Sequence, residues 1–130
     1  MESSQRENEV YKFILDKIDS VPHLEALLLL WNTRPRCWTR EDLATRLYIH
    51  PDEAGRLLGD LLRDELAITA PDALDQVRYA SSGAEKDKLI EELDATYRRE
   101  LVRVSTMIHS KAPSAVRDFA RAFRITRDHK

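Results

Sequence analysis

Glycine and cysteine are scarce in this chain of 130 residues, with three of the first and one of the second. So few glycines leave no Gly-rich loop whose backbone N–H groups could wrap a phosphate, which sets aside the nucleotide-binding loops that depend on one. The lone Cys37 has no partner for an internal disulfide and suits a reducing compartment. It reads as a small buried apolar residue, although the flanking Arg36 and Arg40 would favour its thiolate and with it a redox role. The four histidines, His23, His50, His109 and His129, stand apart from one another and from cysteine, so the expectation is no metal site and no cofactor. His50 precedes Pro51 and suits a helix start, and His109 suits a helix C-terminus. The carboxylate pairs Asp52/Glu53 and Asp64/Glu65 have no evident basic partner, so no catalytic residues and no enzymatic activity are expected. Long hydrophobic runs are absent too: the longest, Ala26–Trp31, is far too short to cross a bilayer. The opening "MESSQRENEV" has no apolar stretch of a signal peptide, and the expected location is the cytoplasm.

Charge is abundant and unevenly placed. Residues 98–130 hold nine Lys/Arg against three Asp/Glu, a net of +6, whereas the preceding 97 residues hold twelve against twenty, a net of −8. A basic end on an acidic body can meet its own body, an acidic partner, an anionic membrane or a phosphate backbone.

Periodicity predicts a mainly α-helical chain. An amphipathic helix is expected over 4–18, with Val10, Phe13, Ile14 and Ile18 on one stripe. Ser20 and Pro22 start a second helix, "HLEALLLLWN", apolar nearly all round and therefore central. Pro35 ends it, and "RCW" is long enough only for a single bridge in a small sheet. Thr39 with Asp42 three residues on reads as a helix cap, followed by the apolar positions Leu43, Ala44 and Leu47. "YIH" turns the chain into a helix over 51–65 whose inward face is Ala54, Leu57, Leu58, Leu61 and Leu62. "LAIT" and "QVRYAS", joined by the long tip "APDALD", read as a two-stranded hairpin. One continuous helix is expected from Ala84 to about Ser110, with Ile90, Leu93, Tyr97, Leu101, Val104 and Ile108 spaced like a coiled-coil seam. After Pro113 a basic amphipathic tail helix is expected, with Phe119 and Phe123 on one face and Arg117, Arg121 and Arg124 on another.

The stretch "WTREDLATRLYIHPDEAGRLLGDLLRDELAI", followed by "TAPDALDQVRYAS", resembles the winged helix-turn-helix superfamily over residues 22–80. The helix after the hairpin is similar to the dimerising helices of small bacterial regulators. The resemblance implies a winged-helix core with a two-stranded wing. It divides the chain into an N-terminal helix (1–21), the winged-helix domain (22–82) and a C-terminal dimerisation region with the basic tail (83–130). A homodimer is expected, held by the seam together with Phe119 and Phe123 docking on the acidic body.

Helix 51–65 has the wrong sign for a groove reader, carrying five carboxylates, Arg56 and Arg63, for a net of −3. Its Gly55 and Gly59 each disfavour helix by about 1 kcal/mol relative to alanine, which calls for either close packing against the domain's own helices or a partner docking over Gly55, Arg56, Gly59 and Arg63. The sign of this helix favours a non-enzymatic regulatory or adaptor module acting through protein contacts, with an unidentified protein partner engaging that face and Arg117, Arg121 and Arg124. The alternative is a DNA-binding regulator using Arg34, Arg36, Arg40 and Arg46 for backbone contacts, or basic patches made by a dimer. Those arginines could instead pair with Glu41, Asp42 and Asp52. A membrane partner is disfavoured, because the apolar face of the tail spans only about two turns.

Overall fold

Side-chain caps set where the first helices begin. A computed structural model describes residues 2–111, and α1 runs Glu2–Lys17 with Val10, Phe13, Ile14 and Ile18 of that stretch of chain buried. The Ser20 hydroxyl accepts a hydrogen bond from the His23 N–H at 3.1 Å and starts α2, Val21–Thr33. This helix buries His23, Leu24, Ala26, Leu27, Leu28, Leu30 and Trp31, which makes it the centre of the molecule. It stops where Arg34 turns extended before Pro35.

The expected bridge is present. Trp38 exchanges both backbone hydrogen bonds with Val77, at 2.7 and 2.9 Å, and its indole N–H reaches the Thr33 hydroxyl at 3.0 Å. Thr39 then accepts from the Asp42 N–H at 3.1 Å and opens α3, Arg40–Leu47. Tyr48 ends α3 in the left-handed region at φ 59°, and the Ile49 N–H returns to the Ala44 carbonyl at 3.0 Å. The His50 imidazole accepts from the Asp52 N–H at 3.0 Å and caps α4, Pro51–Arg63, whose Ala54, Leu57, Leu58 and Leu61 face inward. Helix, turn and helix thus follow the spacing read from the sequence.

Strands β1 (Ala67–Ala70) and β2 (Ala73–Tyr79) form an antiparallel hairpin, with Ala67 opposite Tyr79 and a register shift between Thr69 and Ala70. The tip is shorter than expected: only Pro71 and Asp72 connect the strands, and Ala73 to Asp75 belong to β2. Gly83, at φ 156° where L side chains rarely sit, leads into α5, Ala84–Arg99.

The single C-terminal helix is corrected to two. Glu100, at φ −127° and ψ 51°, separates α5 from α6, Leu101–Ser110. Its carboxylate accepts from the Tyr11 hydroxyl at 2.6 Å and from Arg103 at 3.3 Å, so the break is tied to α1. Those bonds hold the Glu100 carboxyl below its usual range, the Tyr11 bond most of all.

α5 packs along α1, and both α5 and α6 touch α2. The dimer seam is therefore reassigned: Ile90, Leu93, Val104 and Ile108 lie buried in this chain's own core, Tyr97 is half-buried against it, and only Leu101 is exposed. A spacing of three and four residues marks a buried stripe without saying which helix covers it, and here α1 and α2 do. The expected tail helix, with Arg117, Phe119, Arg121, Phe123 and Arg124, lies outside the described residues. Among the described residues no helix is long and apolar enough to cross a membrane.

Candidate nucleic-acid interface

The arginines around the bridge are held in different ways. Arg34 stacks 3.5 Å over the Trp31 ring and donates to the Trp31 carbonyl. Arg36 stacks 3.9 Å over Trp38. Planar guanidinium on indole keeps the charge at the surface while fixing its position. Arg40 pairs with Glu41 at 3.2 Å and with Asp52 at 4.0 Å, as the expectation of pairing with nearby acids had it. Arg46 makes no ion pair among the described residues. It borders a shallow groove shared with Leu29, Thr33, Arg36, Trp38, Asp42 and Thr45, so two cations from different elements meet one carboxylate along one opening.

On α4, Asp52, Arg56, Gly59 and Arg63 are exposed. Arg63 is neutralised locally by Asp60 at 3.1 Å and Asp64 at 3.6 Å. Asp52 lies 4.0 Å from the Arg40 guanidinium. Arg56, in contrast, makes no ion pair among the described residues.

The two glycines are not explained by close helix packing. A Cβ on Gly55 would meet the Arg40 side chain at an ordinary 3.5 Å, and one on Gly59 would find no atom within 4 Å. Arg40 drapes over Gly55, whereas Gly59 leaves a bare patch of helix.

Tyr48 escaped the sequence reading, which treated it as part of a turn. It is 96% exposed in the link between α3 and α4, although its left-handed backbone conformation costs a non-glycine residue about 1–2 kcal/mol. A left-handed helix C-cap is commonly glycine, and the signal available in the sequence was the absence of one after Leu47. Leu74 adds a second exposed apolar side chain, at 78%, on the wing.

Behind the interface, the wing is latched to α5. The Tyr79 hydroxyl and the Ser81 hydroxyl both donate to Asp87, at 2.7 and 2.6 Å, while the Tyr79 ring meets Trp31 edge-on at 5.0 Å. Burial, then the bond to Asp87, pushes the Tyr79 phenol up, and the two donated bonds hold the Asp87 carboxyl down. Trp31 and Tyr79 are thus core residues rather than walls of a ligand cavity. His23 is buried where α2 meets α4, and its Nδ1 accepts from the Asp19 N–H at 3.3 Å. Burial lowers its imidazole below the ordinary value, against the opposing pull of Asp60, Asp19 and Asp64. Cys37 is a free thiol, half-buried. Among the described residues no group of three or more His, Cys, Asp or Glu is placed to hold a metal ion.

No protein-family model matches the sequence, and no curated protein matches it. Solved structures do. MepR, described as a transcription regulator of the Staphylococcus aureus multidrug efflux pump MepA, shares 15% identity at a TM-score of 0.53, with 100% of this chain and 94% of that one covered. A MarR family protein from Bacillus stearothermophilus shares 19% identity at a TM-score of 0.51, covering 98% of this chain and 86% of that one. A MepR–DNA complex from S. aureus matches at 13% identity and a TM-score of 0.51, over 99% and 93%. At these identities the likeness is one of fold.

It also corrects the adaptor expectation. MepR, which shares this architecture over nearly its whole length, is described as a transcription regulator and is also solved with DNA, so an acidic α4 is no ground for moving this chain to protein contacts instead. The expectation that DNA is disfavoured is likewise without support, since a chain of this fold is solved in complex with DNA. The chain has the winged helix-turn-helix fold, with helices before and after the motif packed into one core.

Proposed function

We propose that this protein is a DNA-binding winged-helix regulator that acts, as a homodimer, in the cytoplasm. The observation that carries the reading is the shared opening of Arg36 and Arg46, where two cations outnumber the one carboxylate, Asp42; Arg36 is fixed on an indole and Arg46 makes no ion pair among the described residues. Arg36 and Arg46 hold the phosphate backbone, with Arg34 as a third cation, while α4 approaches the major groove. Carboxylates on α4 are compatible with this role where they accept from cytosine N4. Tyr48, at the leading end of α4, offers a ring to sugar or thymine methyl. A winged-helix dimer would read two half-sites one helical turn apart. The adjacent exposed Leu101 and Val102, 52% and 76% accessible, supply apolar surface for the second copy.

Retention on a duplex-DNA column at two salt concentrations tests the reading. The chain should bind at low salt and elute as salt rises, and replacing both Arg36 and Arg46 with alanine, which removes two contacts in each protomer, should lower the salt slope of dimer binding by about 4. A chain that passes through unretained at low salt overturns the proposal. Light scattering at micromolar concentration should give twice the monomer mass.

A further inference from the structure

Ion pairing on α4 leaves one donor free. The outward surface of the helix carries two arginines, and each has carboxylates within reach of one turn. Arg63 takes Asp60 and Asp64. Asp52, four residues before Arg56, lies 4.0 Å from the Arg40 guanidinium, and Asp60, four residues after it, is turned to Arg63. The two carboxylates at four-residue spacing from Arg56 are therefore engaged elsewhere. Glu53, three residues before it, makes no ion pair among the described residues and is an acceptor only.

The surroundings of Arg56 are open on the side toward the helix C-terminus. Gly59, three residues on and on the same face, has no side chain and no neighbour within 4 Å of where one would begin. Glycine in a helix interior costs about 1 kcal/mol relative to alanine, and no contact among the described residues accounts for it here. A bare backbone beside a long donor lets a flat base edge come close.

We propose that Arg56 is the base-reading residue of this protein, donating two guanidinium N–H groups to O6 and N7 of a guanine in the major groove. The inference rests on the DNA-binding reading above and adds to it a sequence preference. Guanine is the base whose major-groove edge offers two adjacent acceptors matching the fork of arginine. Arg56 is also the one unpaired donor that the described outward face of α4 presents, so it has no competitor on that element. Lysine would preserve the charge and lose the fork.

The test is selection from a randomised duplex library by the full chain, repeated with Arg56→Met, which has no donor and whose thermal unfolding should match the wild type. The wild-type chain should enrich a site with an invariant guanine in each half, and Arg56→Met should lose that position while retaining salt-dependent binding. Replacing the selected guanine by 7-deazaguanine, which removes the N7 acceptor, should weaken the wild-type complex about tenfold and leave the Arg56→Met complex unchanged. The same consensus and the same sensitivity to 7-deazaguanine in both proteins would overturn this inference alone. Failure of the wild-type chain to retain any duplex would overturn the DNA-binding reading as well.

Discussion

Helices α2 and α4 have the same length, 13 residues, and both carry proline in their first turn, yet they do opposite work. α2 is buried nearly all round and is held by what covers it. α4 buries one stripe and leaves the other side to be defined by which charges are already paired. In the first helix composition tells almost everything, because burial is a property of the whole segment. In the second, net charge does not say which groups are paired: Asp60 and Asp64 hold Arg63, Asp52 lies 4.0 Å from Arg40, and Arg56 makes no ion pair among the described residues.

The largest effect should come from α2. Leu27 is fully buried, and Leu27→Ala should remove about 2–5 kcal/mol of stability in urea unfolding, whereas Arg56→Lys on α4 should change it by less than about 0.5 kcal/mol. Comparable losses at the two sites would erase the distinction between the helices.

A smaller effect should appear where the two helices meet. The buried His23 imidazole titrates below its ordinary 6.5, so on acidification the unfolded chain takes up the proton first. Its contribution is complete above that value and declines as pH falls from it toward the folded-state value. Urea unfolding at pH 7.5 and 5.5 should show wild-type stability dropping, with a shallower drop in His23→Asn, whose side-chain oxygen can still accept from the Asp19 N–H. Glu41, Asp87 and Glu100, whose carboxyls are all held low, add their own losses only at more acid pH. Parallel pH dependence in the two proteins would remove His23 from the account.

The smallest shift should be a gain. Gly59→Ala has open space and helical geometry, and it should stabilise the chain by about 0.5–1 kcal/mol in thermal unfolding. Any loss would mean that Gly59 has a neighbour beyond the described residues.

The local chemistry was the legible part of this molecule. Ser20 and Thr39 cap the helices they were expected to cap, and the three residues Arg36 to Trp38 were too short for anything beyond the bridge that Trp38 makes. Hairpin and helix-turn-helix follow from turn residues and apolar spacing of short range. What the sequence concealed depends on long-range partners. The break at Glu100 is secured by Tyr11, 89 positions away, and no window of neighbouring residues contains that bond. The seam from Ile90 to Ile108 was correctly apolar but assigned to a second copy, because periodicity carries no address for the covering surface. The same holds for the interface: Arg34 and Arg36 were visible as cations, and their seats on Trp31 and Trp38 were not.

Trp38 joins three things at once: the end of α2 through Thr33, the start of α3 through its neighbour Thr39, and the wing through Val77. A tilt of α2 would therefore carry the front of the motif and the root of the hairpin together, preserving the gap between them. Two arms clamped at a fixed separation behave as a caliper: they fit one spacing of contact points and change their grip by rotating as a unit rather than by opening.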